Sequence, residues 1–428
     1  MSVHHIVAGV ATVALLTVTA GAQSLPAVRT IGPAEQVSIH VLSSVSTAVP
    51  VSGGILVNDV IEHRVLLFNA DLSSAGVVAD STAASAKTYG IHDGSLIRYH
   101  GDSALFIDPG SLSMLVVSPR GQIVRNIPLT IPHPNDIVAF TGGMFGVPGF
   151  DARERLVYFA GAGQLGVPSI GEGQVLTLAI RSRLLERARP DSAFVVRVDP
   201  KTGALDTAAA FKIAHEATSI NVGAGDTVRS IQVTRQPLPV VDDWAVCSDG
   251  SLAILRGRDF HVDWLGADGK WQASRPMHFD WQQLDDARKT AIADSAVKAD
   301  QLRENLGRAR MLASPGAPRR MGAPYIYAKP AITDLPDRAP AFTRGALHAD
   351  ADGNLWIRTT AIANGQPVYD IATCRGELID RIQLPPSRTI AGFAAGVVYL
   401  AVKDSLRFTY LERVPVGTAA RPLRHDDK

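Results

Sequence analysis

Cysteine is nearly absent: Cys247 and Cys374 are the only two in 428 residues. That excludes a disulfide-dense scaffold and a thiolate metal cluster. An excess of either charge is absent too, with 42 Lys plus Arg against 41 Asp plus Glu and a formal charge of +1. No overall field therefore draws the chain to nucleic acid or to an anionic membrane surface. After residue 22 no segment is long and apolar enough to cross a bilayer. The chain also lacks a Gly-x-Ser-x-Gly elbow, a His-Glu-x-x-His pair, a Walker loop, and a Gly-x-Gly-x-x-Gly following a strand. Basic stretches such as Arg181–Arg183 and Pro318–Arg320 are short and carry no interleaved aromatics, so they read as solvated loop charge.

What is present is a leader, a repeat and an insertion. Residues 1–22 contain no Lys, Arg, Asp or Glu, and Ile6–Ala20 is apolar apart from Gly9, Thr12, Thr17 and Thr19. Ala20–Ala22 then supplies a small-x-small cleavage pattern, which predicts a signal peptide cut after Ala22 and a periplasmic or secreted protein. The leader has His4 and His5 but no Lys or Arg ahead of its apolar run, and an uncleaved anchor is the alternative. No Cys follows the cut, so a lipid-attachment site is not expected.

The repeat is clearest at Gly345–Gly353 followed by Asn354–Thr359: a short strand, an Asp-Gly turn and a β-rich strand. Val368–Thr373, a turn at Cys374–Gly376 and Glu377–Leu384 complete a four-stranded meander. The same grammar recurs at Trp244–Gly250, Ser251–Arg256 and Phe260–Trp264, with the turn Ala267–Lys270. More worn copies begin at Gly54–Asp59 and Ser103–Asp108, and a stretched one runs from Asn135 to the turn Asp199–Gly203. Residues 389–413 supply three strands without a fourth, and Val37–Leu42 is the expected partner that closes the last unit.

These repeats predict an all-β fold, a six-bladed β-propeller closed by an N-terminal strand. Its parts are a signal peptide at 1–22, a linker at 23–36, the propeller at 37–415 and a tail at 416–428. Residues 281–312 carry apolar side chains at helical spacing, from Leu284 and Ala291 to Leu306 and Ala309. They predict a helical insertion between the fourth and fifth blades, with a connector to residue 324. Gly161–Arg189 reads as a long loop with a short helical piece near Leu184. The two thiols are expected to be unpaired. Their turns lie about two strand spacings, or ~10 Å, apart within the blade plane, whereas a disulfide needs Cα atoms within about 7 Å.

The motifs at 352–357 and 249–254, Asp-Gly-Asn-Leu-Trp-Ile and Asp-Gly-Ser-Leu-Ala-Ile, resemble the repeats of NHL-like and TolB-like six-bladed propellers of exported bacterial proteins. The resemblance spans residues 37–415 and implies recognition of a protein, peptide or glycan at the channel mouth. A ligand- or protein-binding module without a cofactor is accordingly the first expectation for function.

Asp59, Asp108, Asp249, Asp268 and Asp352 read as turn formers, and Trp244, Trp264 and Trp356 as packing between blades. His133–Asp136 is the most suggestive short segment. It looks like the Pro-Asn-Asp element of the gluconolactonase and regucalcin family, which implies a divalent-metal ligand at Asn135 and, in the alternative function, a metal-dependent hydrolase or lyase of lactonase type. Inner-strand histidines converging on zinc would use residues such as His63, His100, His133, His215, His261 and His348. The candidate ligand-binding residues are thus His133, Asn135, Asp136 and His348. No catalytic residue is assigned, and Ca²⁺ or Zn²⁺ enters only with the alternative.

Overall fold

The computed structural model describes residues 25–82, 89–90, 92–131, 134–141, 146–161, 170–177, 191–214, 216–313 and 322–417. The leader, most of the connector after the helix, the tail beyond residue 417 and the expected helical piece near Leu184 lie outside these residues. The fold is mostly β. Two short strands open it, β1 (Val28–Thr30) and β2 (Gln36–Val37). The first sheet is β3 (Val45–Val51), β4 (Gly54–Asp59), β5 (Arg64–Phe68) and β6 (Ala75–Asp80). The second is β7 (Ser95–Arg98), β8 (Ala104–Asp108), β9 (Ser113–Val117) and β10 (Ile123–Pro128). The third is β11 (Gly149–Phe150), β12 (Leu156–Ala160), β13 (Ser192–Val198) and β14 (Leu205–Lys212).

Two strands of a satellite sheet follow, β15 (Glu216–Val222) and β16 (Val228–Arg235). The fourth sheet is β17 (Asp243–Val246), β18 (Leu252–Arg256), β19 (His261–Leu265) and β20 (Trp271–Ala273). Helix α1 (Asp286–Ala313) comes next, and then β21 (Tyr325–Ala328), which pairs parallel with β16. The fifth sheet is β22 (Phe342–Ala349), β23 (Asn354–Ala363), β24 (Gln366–Thr373) and β25 (Leu378–Gln383). The sixth is β26 (Arg388–Ala394), β27 (Val397–Lys403) and β28 (Thr409–Pro415).

Each of the six main sheets is an antiparallel meander in sequence order; short turns enforce this everywhere except between β12 and β13, which pair across the long segment from Gly161 to Asp191. The chain start supplies the exceptions. β2 pairs antiparallel with β28 as Gln36↔Arg413 and Val37↔Glu412, and Ser38 and Leu42 hydrogen-bond onward along the same edge. β1, within the segment expected to be linker, instead adds a fifth strand parallel to β25, tied by Arg29 to Asp380 at 2.7 Å. Both additions cover edges whose amides would otherwise face water.

The apolar faces pack from sheet to sheet. Clusters join the first sheet to the second around Leu56 and Phe106, and the second, third and fourth around Ile107, Phe159 and Ile254. Others join the fourth to the fifth around Phe260 and Phe342, the fifth to the sixth around Trp356 and Val398, and the sixth back to the first around Tyr399 and Val57. Trp244 and Trp356 are 1% and 0% exposed, in line with packing between sheets. At the return from sixth sheet to first, Gly392 lies so close to the Ala48 carbonyl that a Cβ would overlap its oxygen. Gly392→Val is expected to destabilise by at least about 2 kcal/mol, as backbone must move on both sheets; an unchanged urea midpoint would refute the close approach.

The unpaired-thiol expectation is wrong. Cys247 and Cys374 form a disulfide with Cα atoms 6.4 Å apart. The in-plane distance overestimated the gap because sheets twist and pack face on face. Cys374 donates its N–H to Gly353 beside the inner turn of its own sheet, and Gly376 lies against Val262 and Ser274 of the fourth sheet. The outer turn therefore leans over its neighbour's face and meets Cys247.

Candidate functional site

The turns after β3, β7, β11, β17, β22 and β26 meet at one end of the molecule. Asp102 accepts from the Ser52 amide at 2.9 Å, His100 stands 3.8 Å from Glu154, and the Ala152 amide donates to the Gly250 carbonyl at 3.3 Å. The disulfide and a bond from the Gly396 amide to Asp352 (2.8 Å) continue the series. The six strands that precede these turns enclose a cavity of about 560 Å³, floored near Trp244 and rimmed by the turns themselves. That volume lies within the usual range for small-molecule sites.

One sector of the rim is aromatic. Tyr99 and His100 at the end of β7 pack on each other at 4.2 Å, and both meet Phe150 of β11, at 5.2 and 5.4 Å between ring centroids. Arg98, exposed and on the same strand, reaches past the first sheet, its guanidinium 3.4 Å from the Phe393 carbonyl of the sixth. Glu154 beside His100 adopts a left-handed backbone with φ of 65°.

The carboxylates of the rim are occupied by their own turns. Asp151 accepts from the amides of Arg153 and Arg155 and from the Arg155 side chain. Asp249 accepts from the amide and hydroxyl of Ser251, and Asp350 from the amides of Asp352 and Asn354 and from Trp356 Nε1. Asp249 is thus a turn former, as its sequence indicates, and Asp108 and Asp268 behave likewise towards Gly110 and Lys270. Asp352 instead accepts from the Gly396 amide of the sixth sheet, and Asp59, buried at the end of β4, holds Arg64 and the Ser43 and Ser44 amides.

Of the four residues singled out from the sequence, the cavity receives one. His348 of β22 lines it, its ring held deep enough that burial pushes its pKa down to about 4 while its surface stays reachable through the cavity. Its ring makes no hydrogen bond to any described residue. Asp136 sits in the short 3-10 segment Pro134–Phe140, buried, and accepts from the Gly161 amide at 2.7 Å. It is not among the cavity-lining residues; burial, with the Asp136 charge as the smaller cause, raises the pKa of Tyr158. His133 and the side chain of Asn135 lie outside the described residues. Among the described residues no three or more His, Cys, Asp or Glu side chains gather as a metal site.

Charged side chains that escaped the sequence reading include buried Asp243 and half-buried Arg344. Asp243, 3% exposed at the start of β17, accepts from the amides of Ala346 and Leu347 at 2.8 and 3.1 Å, and from that of Trp244. It ties the first strand of the fourth sheet to that of the fifth. Burial raises its pKa to about 6, although those three amides and the nearby Arg344 guanidinium pull it down. Burial lowers the Arg344 pKa, with Asp243 opposing. Arg98, Tyr99 and Phe150 were also missed. The available signal was that β7 runs out through Arg98-Tyr99-His100, where the other repeats pass into small or turn-forming residues.

No protein-family model matches the chain, and no curated protein matches it. Solved structures do, at low similarity. One is a member of the DUF4221 family from Bacteroides vulgatus, 7% identical over 92% of this chain and 98% of that one, with a TM-score of 0.41. A second is a calcium-binding protein, regucalcin, from Agrobacterium tumefaciens, 10% identical over 92% and 98%, TM-score 0.39. A third is virginiamycin B lyase from Staphylococcus aureus, 10% identical over 87% and 80%, TM-score 0.34. At such scores the likeness carries no weight for what this chain does.

Proposed function

We propose that the protein is an exported six-bladed β-propeller, closed by its N-terminal strand, that works as a binding module with its ligand held in the central cavity. Six meanders whose faces pack in cyclic order, with β2 completing the sixth, support the ring. Helix α1 is then an insertion between the fourth and fifth blades. The apolar leader supports export, as does a disulfide, since such bonds persist in oxidising compartments. No helix among the described residues is long and apolar enough to cross a membrane.

The observation that carries the binding reading is the cavity itself: all six first strands line it, and it combines an aromatic rim with a few polar groups. Pockets of that make-up hold ligands, or the end of a protein, peptide or glycan partner, through apolar contact plus sparse orientation by polar atoms.

Ala349 lines the cavity without taking part in any polar contact described above. Ala349→Trp should fill the space while leaving the rim latches intact. A fragment or peptide that stabilises the wild type by about 2.7 kcal/mol at a hundred times its Kd is expected to lose that effect in the variant. Melting curves across a ligand library give the readout. Hits that stabilise both proteins equally, or a library without a single hit, would end the cavity-binding reading.

A further inference from the structure

The charges around the cavity are not evenly satisfied. Asp151, Asp249 and Asp350 already receive at least two donors each from their own turns, and Glu154 faces His100 and Lys201 at 3.8 Å. Arg98 differs. Its one hydrogen bond among the described residues is with the Phe393 carbonyl at 3.4 Å, long for such a bond, and it makes no ion pair with any of them. It lines the same cavity as the Tyr99, His100 and Phe150 rings.

A guanidinium in that setting attracts an anion, and its planar fork matches a carboxylate in particular. The adjoining rings offer stacking faces to a planar apolar body. Arg98 springs from the second sheet, but its guanidinium lies at the Phe393 carbonyl of the sixth, the neighbour of the fifth sheet that carries His348. A neutral imidazole donates through one nitrogen and accepts through the other, so it suits a hydroxyl and not a second charge.

We propose that the cavity binds a small aryl monocarboxylate, its carboxylate on Arg98, its apolar body in the aromatic-rimmed cavity, and an uncharged polar group available to His348. This rests on the cavity-binding reading above and adds the ligand's charge and orientation.

The test is calorimetric titration of the full mature chain at pH 7.5 with three probes of one shape: 4-hydroxycinnamate, its primary amide, and tyramine. The acid is expected to bind about tenfold or more tightly than the amide, with tyramine weakest, because a charge-assisted pair is roughly twice as strong as a neutral one. Arg98→Gln should weaken the acid by about tenfold and the amide far less, because only the acid loses a charge-assisted pair. Arg98 is exposed on its strand, so folding is expected to survive the change. His348→Leu should weaken 4-hydroxycinnamate more than cinnamate, which lacks the hydroxyl. Amide or tyramine binding as tight as the acid, yet lost in Ala349→Trp, would overturn the carboxylate assignment while the cavity reading stood. An acid preference that persists in Arg98→Gln would overturn it also, as would no binding by any of the three.

Discussion

Breaking the Cys247–Cys374 bridge is expected to lower the unfolding free energy by about 2 to 4 kcal/mol. The bond closes a 127-residue separation, and a loop of that length loses much conformational freedom in the unfolded chain when its ends are tied. It also joins the outer turn of the fifth sheet to the inner turn of the fourth, where Cys247 forms part of the cavity wall. Urea unfolding with and without dithiothreitol, alongside the Cys247→Ser/Cys374→Ser double variant, separates the bond from side effects of the reductant. The reductant should shift the wild type and leave the double variant where it is. Two free thiols in the unreduced, denatured wild type would dispose of the bridge altogether.

The second large effect is expected at Asp243. Asp243→Leu strips the Ala346 and Leu347 amides of their acceptor and removes the carboxylate that counters Arg344, so a loss of about 3 to 5 kcal/mol is expected. Asp243→Asn keeps an oxygen facing those amides and removes only the charge. The carboxyl has a pKa near 6 in the fold against 3.8 when unfolded. A raised acid pKa means that the folded state binds the proton more tightly. Its linkage contribution is therefore complete below about pH 3.8 and is lost as the pH rises through 6. Measured against Asp243→Asn, the wild type should lose about 2 to 3 kcal/mol between pH 3.5 and pH 7. A stability difference that stays flat across that window would show the carboxyl to be unperturbed.

The meanders were legible because their signal is local. An Asp-Gly turn between two β-rich runs, as at 249–250 and 352–353, folds within one unit and leaves its mark in consecutive residues. The satellite sheet was not legible. β15 is polar and mostly exposed along Glu216–Val222, and β16 finds its third strand only at Tyr325, beyond the fourth sheet and α1. Parallel pairing over that distance leaves no local pattern to read. Around it, Arg235 joins Glu216 at 2.6 Å and Asp300 of the helix at 3.4 Å, so the helix is partly held by charges that only the fold brings together.

The site divides in the same way. His348 stood out as a histidine in the best-formed repeat, on a strand expected to face the centre. Of the aromatic sector only His100 had been named, because Tyr99 and His100 follow one strand and Phe150 belongs to another sheet, and only their meeting gives them meaning. The disulfide was misjudged for a related reason: strand spacing within a sheet is a local rule, whereas the lean of one sheet over the next comes from accumulated twist.

The first described residues complete two sheets made from the last ones: Arg29 bonds Asp380 across 351 positions, and Ser38 bonds Leu411 across 373. A ribosome therefore releases the opening segment long before its partners exist. The finished architecture cannot assemble during synthesis; it must wait for the whole polypeptide, and until then its unfinished borders stay open to unwanted pairing.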